Sequence, residues 1–156
     1  MEIERKFLVK TLPPLKGIPS KKLFQAYISV MPVIRIRKAQ DTFLLTIKSQ
    51  GNIAREEHEI SINASEFQSL LNKIEGHPIE KTRYYIPLEN GLTAELDIFS
   101  NHLSPLTTVE VEFPSLDAAN AFIPPIWFGE DISLDHRYKN NNLAIHGLPE
   151  KTSCKR

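Results

Sequence analysis

Long apolar runs are missing from this sequence: no stretch approaches the roughly 18 to 20 residues that a membrane-spanning helix requires. A signal peptide is missing too, since Met1-Glu2-Ile3-Glu4-Arg5-Lys6 places acids where basic and then apolar residues belong. A cytoplasmic protein with no membrane partner is expected. Cysteine is nearly absent: the one thiol, Cys154, lies close to the C-terminus, which excludes an internal disulfide and a cysteine-based metal centre and leaves an exposed tail thiol. There is no charge excess of either sign. The 19 basic and 19 acidic side chains sum to zero, so the bulk electrostatic signature of a nucleic-acid binder is excluded. Internal repeats, low-complexity tracts and long linkers are absent as well. The 156 residues therefore read as one domain over 1–146, followed by a flexible tail over 147–156.

What is present is alternation. Period-2 patterning marks extended strands over 2–9, 23–30, 33–38, 43–49, 55–62, 79–86, 92–99 and 107–113. Turn residues separate them at Gln40-Asp41, Gly51-Asn52 and Glu89-Asn90-Gly91. Helical spacing of Phe67, Leu70, Leu71 and Ile74 predicts a helix over 65–74, capped by Asn63 or Ser65 and ended by Gly76. A second helix is expected from Ser115, turning Leu116, Ala119 and Phe122 toward the core until Pro124-Pro125 stops it. Residues 132–138 read as a last strand or turn, and 140–145 as a short helical turn.

Charges within these strands fall at i, i+2 spacing, and mostly as same-sign pairs: Glu2 and Glu4 with Lys6; Arg35 and Arg37; Glu57 and Glu59; Lys81 and Arg83; Glu95 and Asp97; Glu110 and Glu112. Lys48 follows Thr46 on a further strand. The alternate positions are apolar, as in Ile34 and Ile36, Leu45 and Ile47, Leu96 and Ile98, Val109 and Val111. An open antiparallel sheet with one solvated face is the commonest source of such alternation. Like charges about 7 Å apart on one strand repel, however, and an ordinary solvated face mixes in neutral polar residues. The sharper expectation is an α+β, mainly antiparallel chain. About eight strands would close into a barrel with a charged lumen and a few helices packed outside. Basic doublets would grip a polyanion. Acidic doublets would hold hard divalent cations such as Mg2+ or Mn2+.

The opening Glu2-Ile3-Glu4-Arg5-Lys6 resembles the Glu-x-Glu-x-Lys signature of the triphosphate tunnel metalloenzymes, also called the CYTH superfamily. The likeness continues in the family's order through Arg35-Ile36-Arg37, Lys48, Glu57-His58-Glu59, Lys81-Thr82-Arg83-Tyr84, Glu95-Leu96-Asp97, Glu110-Val111-Glu112 and Arg137-Tyr138-Lys139-Asn140. It is strongest to the short single-domain bacterial members, several of which are inorganic triphosphatases. The resemblance implies an antiparallel eight-stranded tunnel and metal-dependent hydrolysis of a triphosphate, foremost inorganic tripolyphosphate to diphosphate and phosphate. It also implies Lys6, Arg35, Arg37, Lys48, Lys81, Arg83 and Lys139 as phosphate ligands and Glu2, Glu4, Glu57, Glu59, Glu110 and Glu112 as metal ligands. Glu4, Glu110 and Glu112 would serve one metal, with Glu2 and Glu59 near the attacking water. Glu2, Glu4, Glu59 and Lys81 would then be the catalytic groups. Members often form dimers, which leaves a homodimer open.

Other roles compete for some of these residues. Glu95 and Asp97 can orient arginines instead of touching metal, and Arg137 reads better as a structural ion-pair partner than as a phosphate ligand. Arg5 and Lys38 have the wrong parity for the charged face and read as surface charges, as does His136. His58 lies on the outer face, and Tyr84, Tyr85 and Trp127 read as packing residues. Functions also compete: a nucleoside or thiamine triphosphatase, a class IV adenylyl cyclase, or a polyphosphate-binding module without turnover. The residues show no aromatic set suited to a nucleobase, which favours an inorganic substrate.

Overall fold

The computed structural model describes residues 3–48 and 57–149. Antiparallel strands dominate, in the order β5-β4-β3-β2-β6-β7-β8-β1-β9. The strands are β1 (Glu4–Val9), β2 (Ser20–Val30), β3 (Val33–Ala39), β4 (Thr42–Lys48), β5 (Glu57–Ile62), β6 (Glu75–Pro87), β7 (Thr93–Phe99), β8 (Thr107–Glu112) and β9 (Phe128–Asp131). Three helices accompany them: α1 (Ala64–Leu71), α2 (Leu116–Ala121) and α3 (Asn140–His146).

The expected closed eight-stranded barrel is not formed. The sheet has nine strands and two ends, β5 and β9, so it is open, and its charged residues occupy a face, not a lumen. Alternation reports which side a residue points to, and it is the same for a barrel wall and a one-sided sheet; closure leaves no mark on it. The two edges are blunted differently. β5 carries Glu57, His58 and Glu59 in exposed positions, and β9 is only four residues long.

The chain divides into two compact units. One comprises residues 1–23 and 80–134. Here β1 pairs with β8, with Glu4 opposite Glu112 and Lys6 opposite Glu110, and β8 pairs with β7, with Glu110 opposite Glu95. Opposed residues share a face, so a single parity runs across all three strands. The other parity makes the core: Phe7, Ala94, Leu96, Val109 and Val111 are buried, joined by Phe113, Ala119 and Phe128. Tilted and edge-on ring contacts tie it together, Phe7 to Phe128 at 5.0 Å and Phe113 to Phe122 at 5.1 Å.

α2 starts where expected, with the Ser115 hydroxyl accepting from the Ala118 amide. Leu116, expected to face the core, is instead 66% exposed, because it sits in the first turn of a helix only six residues long. β9 was not foreseen. It precedes residues 132–138, read as a last strand or turn, where a 3₁₀ turn over His136–Tyr138 forms.

The second unit comprises residues 24–79 and 135–156. β3 pairs with β4 and β4 with β5 in strict register: Arg35 faces Thr46 and Thr46 faces Glu59, while Ile36 faces Leu45 and Leu45 faces Ile60. Ala26, Ile36 and Phe67 form the centre of this core, covered by Phe24, Phe43, Leu45, Ile62, Leu70 and Leu71. α1 supplies Phe67. Its start is a capping box in which the Asn63 side chain accepts from the Glu66 amide at 2.7 Å and the Glu66 carboxylate accepts from the Asn63 amide at 2.9 Å.

The helix ends at Leu71, short of Ile74, and β6 starts at Glu75, so Gly76 opens a strand instead of closing a helix. Its φ of 69° and the backbone of Ala144 leave no room for a side chain. The turn at Gly51-Asn52 and the first residues of the expected strand from Arg55 lie outside the described residues.

Candidate active site

Each unit presents a charged face opposite its apolar core. In the first unit that face is built on β1, β6, β7 and β8, and its centre is Asp97. Asp97 is buried and accepts a fork from Arg83, Nε to Oδ1 at 2.8 Å and Nη2 to Oδ2 at 2.9 Å. Lys81, also buried, donates to the second oxygen at 2.8 Å. Two cations on one carboxylate leave the group with net positive charge. Burial pushes the Asp97 carboxyl upward, but the charges of Lys81 and Arg83 outweigh it and hold the carboxyl below the ordinary aspartate range. Burial also dominates at Lys81, lowering its ammonium below the usual lysine value despite Asp97. The ammonium lies 5.2 Å from the Phe99 ring centre.

Around this triad lie the acids. Arg83 reaches Glu95 at 3.3 Å and Glu110 at 4.0 Å, and Lys6 reaches Glu110 at 3.8 Å. The strand register adds Glu4 and Glu112, which face each other on β1 and β8. Partial burial, Glu110, Asp97 and Glu112 raise the Glu95 carboxyl above its ordinary value, against the pull of Arg83.

In the second unit the charged face carries Arg35 and Arg37 on β3, Lys48 on β4, and Glu57 and Glu59 on β5. Lys48 pairs with the opposed Glu57 at 3.6 Å, and the buried Thr46 hydroxyl donates to Glu59 at 3.4 Å. Two residues of β2 belong here that the charge pattern does not reveal. Gln25 is fully buried and its side-chain oxygen accepts from Arg37, Nε at 3.2 Å and Nη2 at 3.0 Å. Tyr27 meets Arg35 through its hydroxyl. The i, i+2 spacing of Gln25 and Tyr27 was their only sequence signal.

The structure thus brings Glu4, Lys6, Lys81, Arg83, Glu110 and Glu112 onto one face of the first unit. It brings Arg35, Arg37, Lys48, Glu57 and Glu59 onto one face of the second. Glu2 and Cys154 lie outside the described residues. Lys139 is exposed just before α3. Asp97 takes the orienting role, and Arg137 pairs with Asp135 at 2.6 Å. His58 falls on the parity opposite Glu57 and Glu59, as expected, and Trp127 packs against Phe128 with ring centres 4.6 Å apart. Arg5 is not a plain surface charge. It pairs with Asp131 at 3.0 Å, donates to the Ala119 carbonyl at 2.9 Å and lies 5.0 Å from the centre of the Phe7 ring.

Among the described residues, no three carboxylate, imidazole or thiol side chains lie close enough together to hold a metal ion by themselves. The strand register places Glu4 opposite Glu112, with Glu110 two residues along on the same face, and all three are carboxylates. Hard oxygen donors in small number fit a cation such as Mg2+, which is usually held by one or two carboxylates with phosphate oxygens and water completing the shell.

No family model matches the sequence. Similar proteins are nonetheless clear. The inorganic triphosphatase of Nitrosomonas europaea is 47% identical over 146 residues, covering 92% of this chain and 97% of that protein. The inorganic triphosphatase of Acetivibrio thermocellus is 35% identical over 148 residues, covering 92% of each. A crystal structure of an inorganic triphosphatase superposes with a TM-score of 0.79 at 44% identity, over 96% of this chain and 97% of its own. A Hippeastrum protein described as having a dominant triphosphatase activity has a TM-score of 0.56 at 19% identity, over 77% of this chain and 83% of its own, a likeness of fold alone.

Proposed function

The chain belongs to the inorganic triphosphatase family, and on that footing we propose that it hydrolyses inorganic tripolyphosphate to diphosphate and phosphate, using a divalent cation, Mg2+ or Mn2+. The observation that carries this reading is the ordering of basic side chains beside acids on the charged face of the first unit. Arg83 and Lys81 are anchored on Asp97, and Lys6 lies against Glu110. A triphosphate is a dense anion, and the transition state for its hydrolysis spreads charge over phosphoryl oxygens. Cations that are already fixed stabilise that charge without reorganising.

In this reading Lys6, Lys81 and Arg83 are phosphate ligands of the first unit, and Arg35, Arg37 and Lys48 those of the second. The arginines can present two donors to one phosphoryl group, whereas the lysines act as point charges. Lys139 is retained as a further phosphate ligand on its sequence position alone. Glu4, Glu110 and Glu112 would hold the cation, which would neutralise phosphoryl oxygens and acidify a water when bound. Lys6 and Arg83 compete with it for Glu110, so phosphate, by drawing those cations to itself, would release the carboxylate. Glu57 and Glu59 are the candidate acids of the second unit, and Glu2 is retained as a metal ligand on its sequence position alone.

The test is phosphate release from tripolyphosphate, ATP and thiamine triphosphate, each with Mg2+, with Mn2+ and with a chelator. Tripolyphosphate should be cleaved fastest, and only with metal. Preferential cleavage of ATP would reject the inorganic substrate, and turnover in chelator would reject the metal requirement.

A further inference from the structure

Strand β2 supplies neutral partners to the arginines of β3. Gln25 accepts from Arg37, and two residues on, Tyr27 meets Arg35 through its hydroxyl. Tyr27 is 4% exposed, and arginine carries donors only, so the phenol oxygen accepts and the guanidinium donates. Burial pushes the phenol above its ordinary value against the pull of Arg35 and Arg37, so the group is neutral at neutral pH. The residue across the sheet from Arg35 is Thr46, not an acid, and Thr46 turns its own hydroxyl to Glu59. Among the described residues no carboxylate pairs with Arg35, and its Nε is buried without an acceptor. Buried donors of this kind are rare in folded proteins, and they mark a group completed from outside the chain. We propose that Tyr27 is a positioning residue that fixes the Arg35 guanidinium for a phosphoryl group of the substrate.

The proposal rests on the reading of Arg35 as a phosphate ligand. An arginine side chain loses rotamer freedom when it is held in one place, and a partner that holds it before substrate arrives leaves more of the phosphate interaction as affinity. An acid would hold Arg35 as well, as Asp97 holds Arg83, but it would compete with phosphate for the guanidinium. A phenol orients and adds no counter-charge. Phenylalanine has the same ring without the oxygen, so it keeps the packing and removes only the bond.

Three variants of the full chain test this: Tyr27→Phe, Arg35→Gln and the two together. Each is compared with the native protein by kcat and KM for tripolyphosphate with Mg2+ and by melting temperature. Arg35→Gln should lower kcat/KM. Tyr27→Phe should lower kcat/KM by about tenfold, mostly through KM, the scale of one hydrogen bond to a charged group. In the Arg35→Gln background the same Tyr27→Phe change should alter kcat/KM by about twofold or less, because the arginine it acts through is gone. A merely structural tyrosine would lower the melting temperature and act equally in both backgrounds. If Arg35→Gln impairs the enzyme while Tyr27→Phe leaves kcat/KM at the native value, or lowers it as much without the arginine as with it, the positioning role is overturned and the reading of Arg35 stands. If Arg35→Gln has no effect, that reading falls and this proposal with it. No tripolyphosphate turnover by the native protein would reject the proposed function, and both with it.

Discussion

Asp97 and Arg83 face each other across β7 and β6 and share two hydrogen bonds of 2.8 and 2.9 Å, while Lys81 holds the same carboxylate from one turn of the strand pattern away. Buried Lys81 and half-buried Arg83 therefore share one acid. Replacing it strands Lys81 and leaves Arg83 only its longer contacts to Glu95 and Glu110. Asp97→Asn should destabilise the fold by about 3–5 kcal/mol, the range for removing one partner of a buried ion pair, as read by urea denaturation at neutral pH. The acid dependence follows from the same group. Because the folded-state carboxyl ionises below its ordinary value of 3.8, the unfolded chain binds the proton first as pH falls, and stability drops from about pH 4 downward through the folded value. The stabilisation is fully present above pH 4, and Asp97→Asn should flatten that acid slope. An unchanged slope would mean that other carboxylates dominate acid unfolding.

Glu4 is exposed on β1, opposite Glu112, so its removal leaves the core intact. Glu4→Ala should lower metal-dependent turnover by at least ~100-fold, the upper loss measured for removing a mere outer partner of a metal ligand. The melting temperature should barely move. Retained turnover would remove Glu4 from the metal site.

Arg5 lies one residue away in sequence and on the opposite side of the sheet, where it ties β1 to the end of α2 and to Asp131. Arg5→Ala should cost about 1–3 kcal/mol of stability through the lost bonds and packing, with kcat/KM unchanged. A kinetic defect in a variant that remains folded would contradict this assignment.

Gly76 combines a left-handed φ of 69° with the backbone of Ala144 against its α-carbon. Gly76→Ala should destabilise by about 1–3 kcal/mol or more, measured by thermal or urea unfolding, since both the dihedral and the contact oppose a side chain. Gly91, also at positive φ but with nothing within 4 Å of an added Cβ, is the control and should tolerate alanine better.

Much of this arrangement is legible in the sequence because a strand has a period of two. Lys6, Glu110 and Glu95 are scattered along the chain, yet parity alone puts each on the charged side, and the registers bear that out. What parity cannot carry is partnership. That Asp97 serves Arg83 and Lys81 depends on which strands adjoin, and barrel closure depends on whether the end strands meet. Gln25 carries no charge to mark it in the sequence, and its burial on a polar face is a tertiary fact. The short strand Phe128–Asp131 has no room for a repeating pattern, and Gly76 looked like a helix stop because its positive φ suits either role.

The same parity constrains how this chain can change. Along β8, Val109 and Val111 are fully buried while Glu110 and Glu112 point to the other side. A substitution there alters one side chain, but insertion or deletion of a single residue exchanges the two sets, sending carboxylates into a core of phenylalanines and valines among the acids. Length can vary at turns such as Glu89-Asn90-Gly91, or within a strand by two residues at once. Genes encoding this fold should therefore accumulate point changes within strands and length changes between them, and a library of single-residue deletions scored for soluble expression would show that periodicity directly.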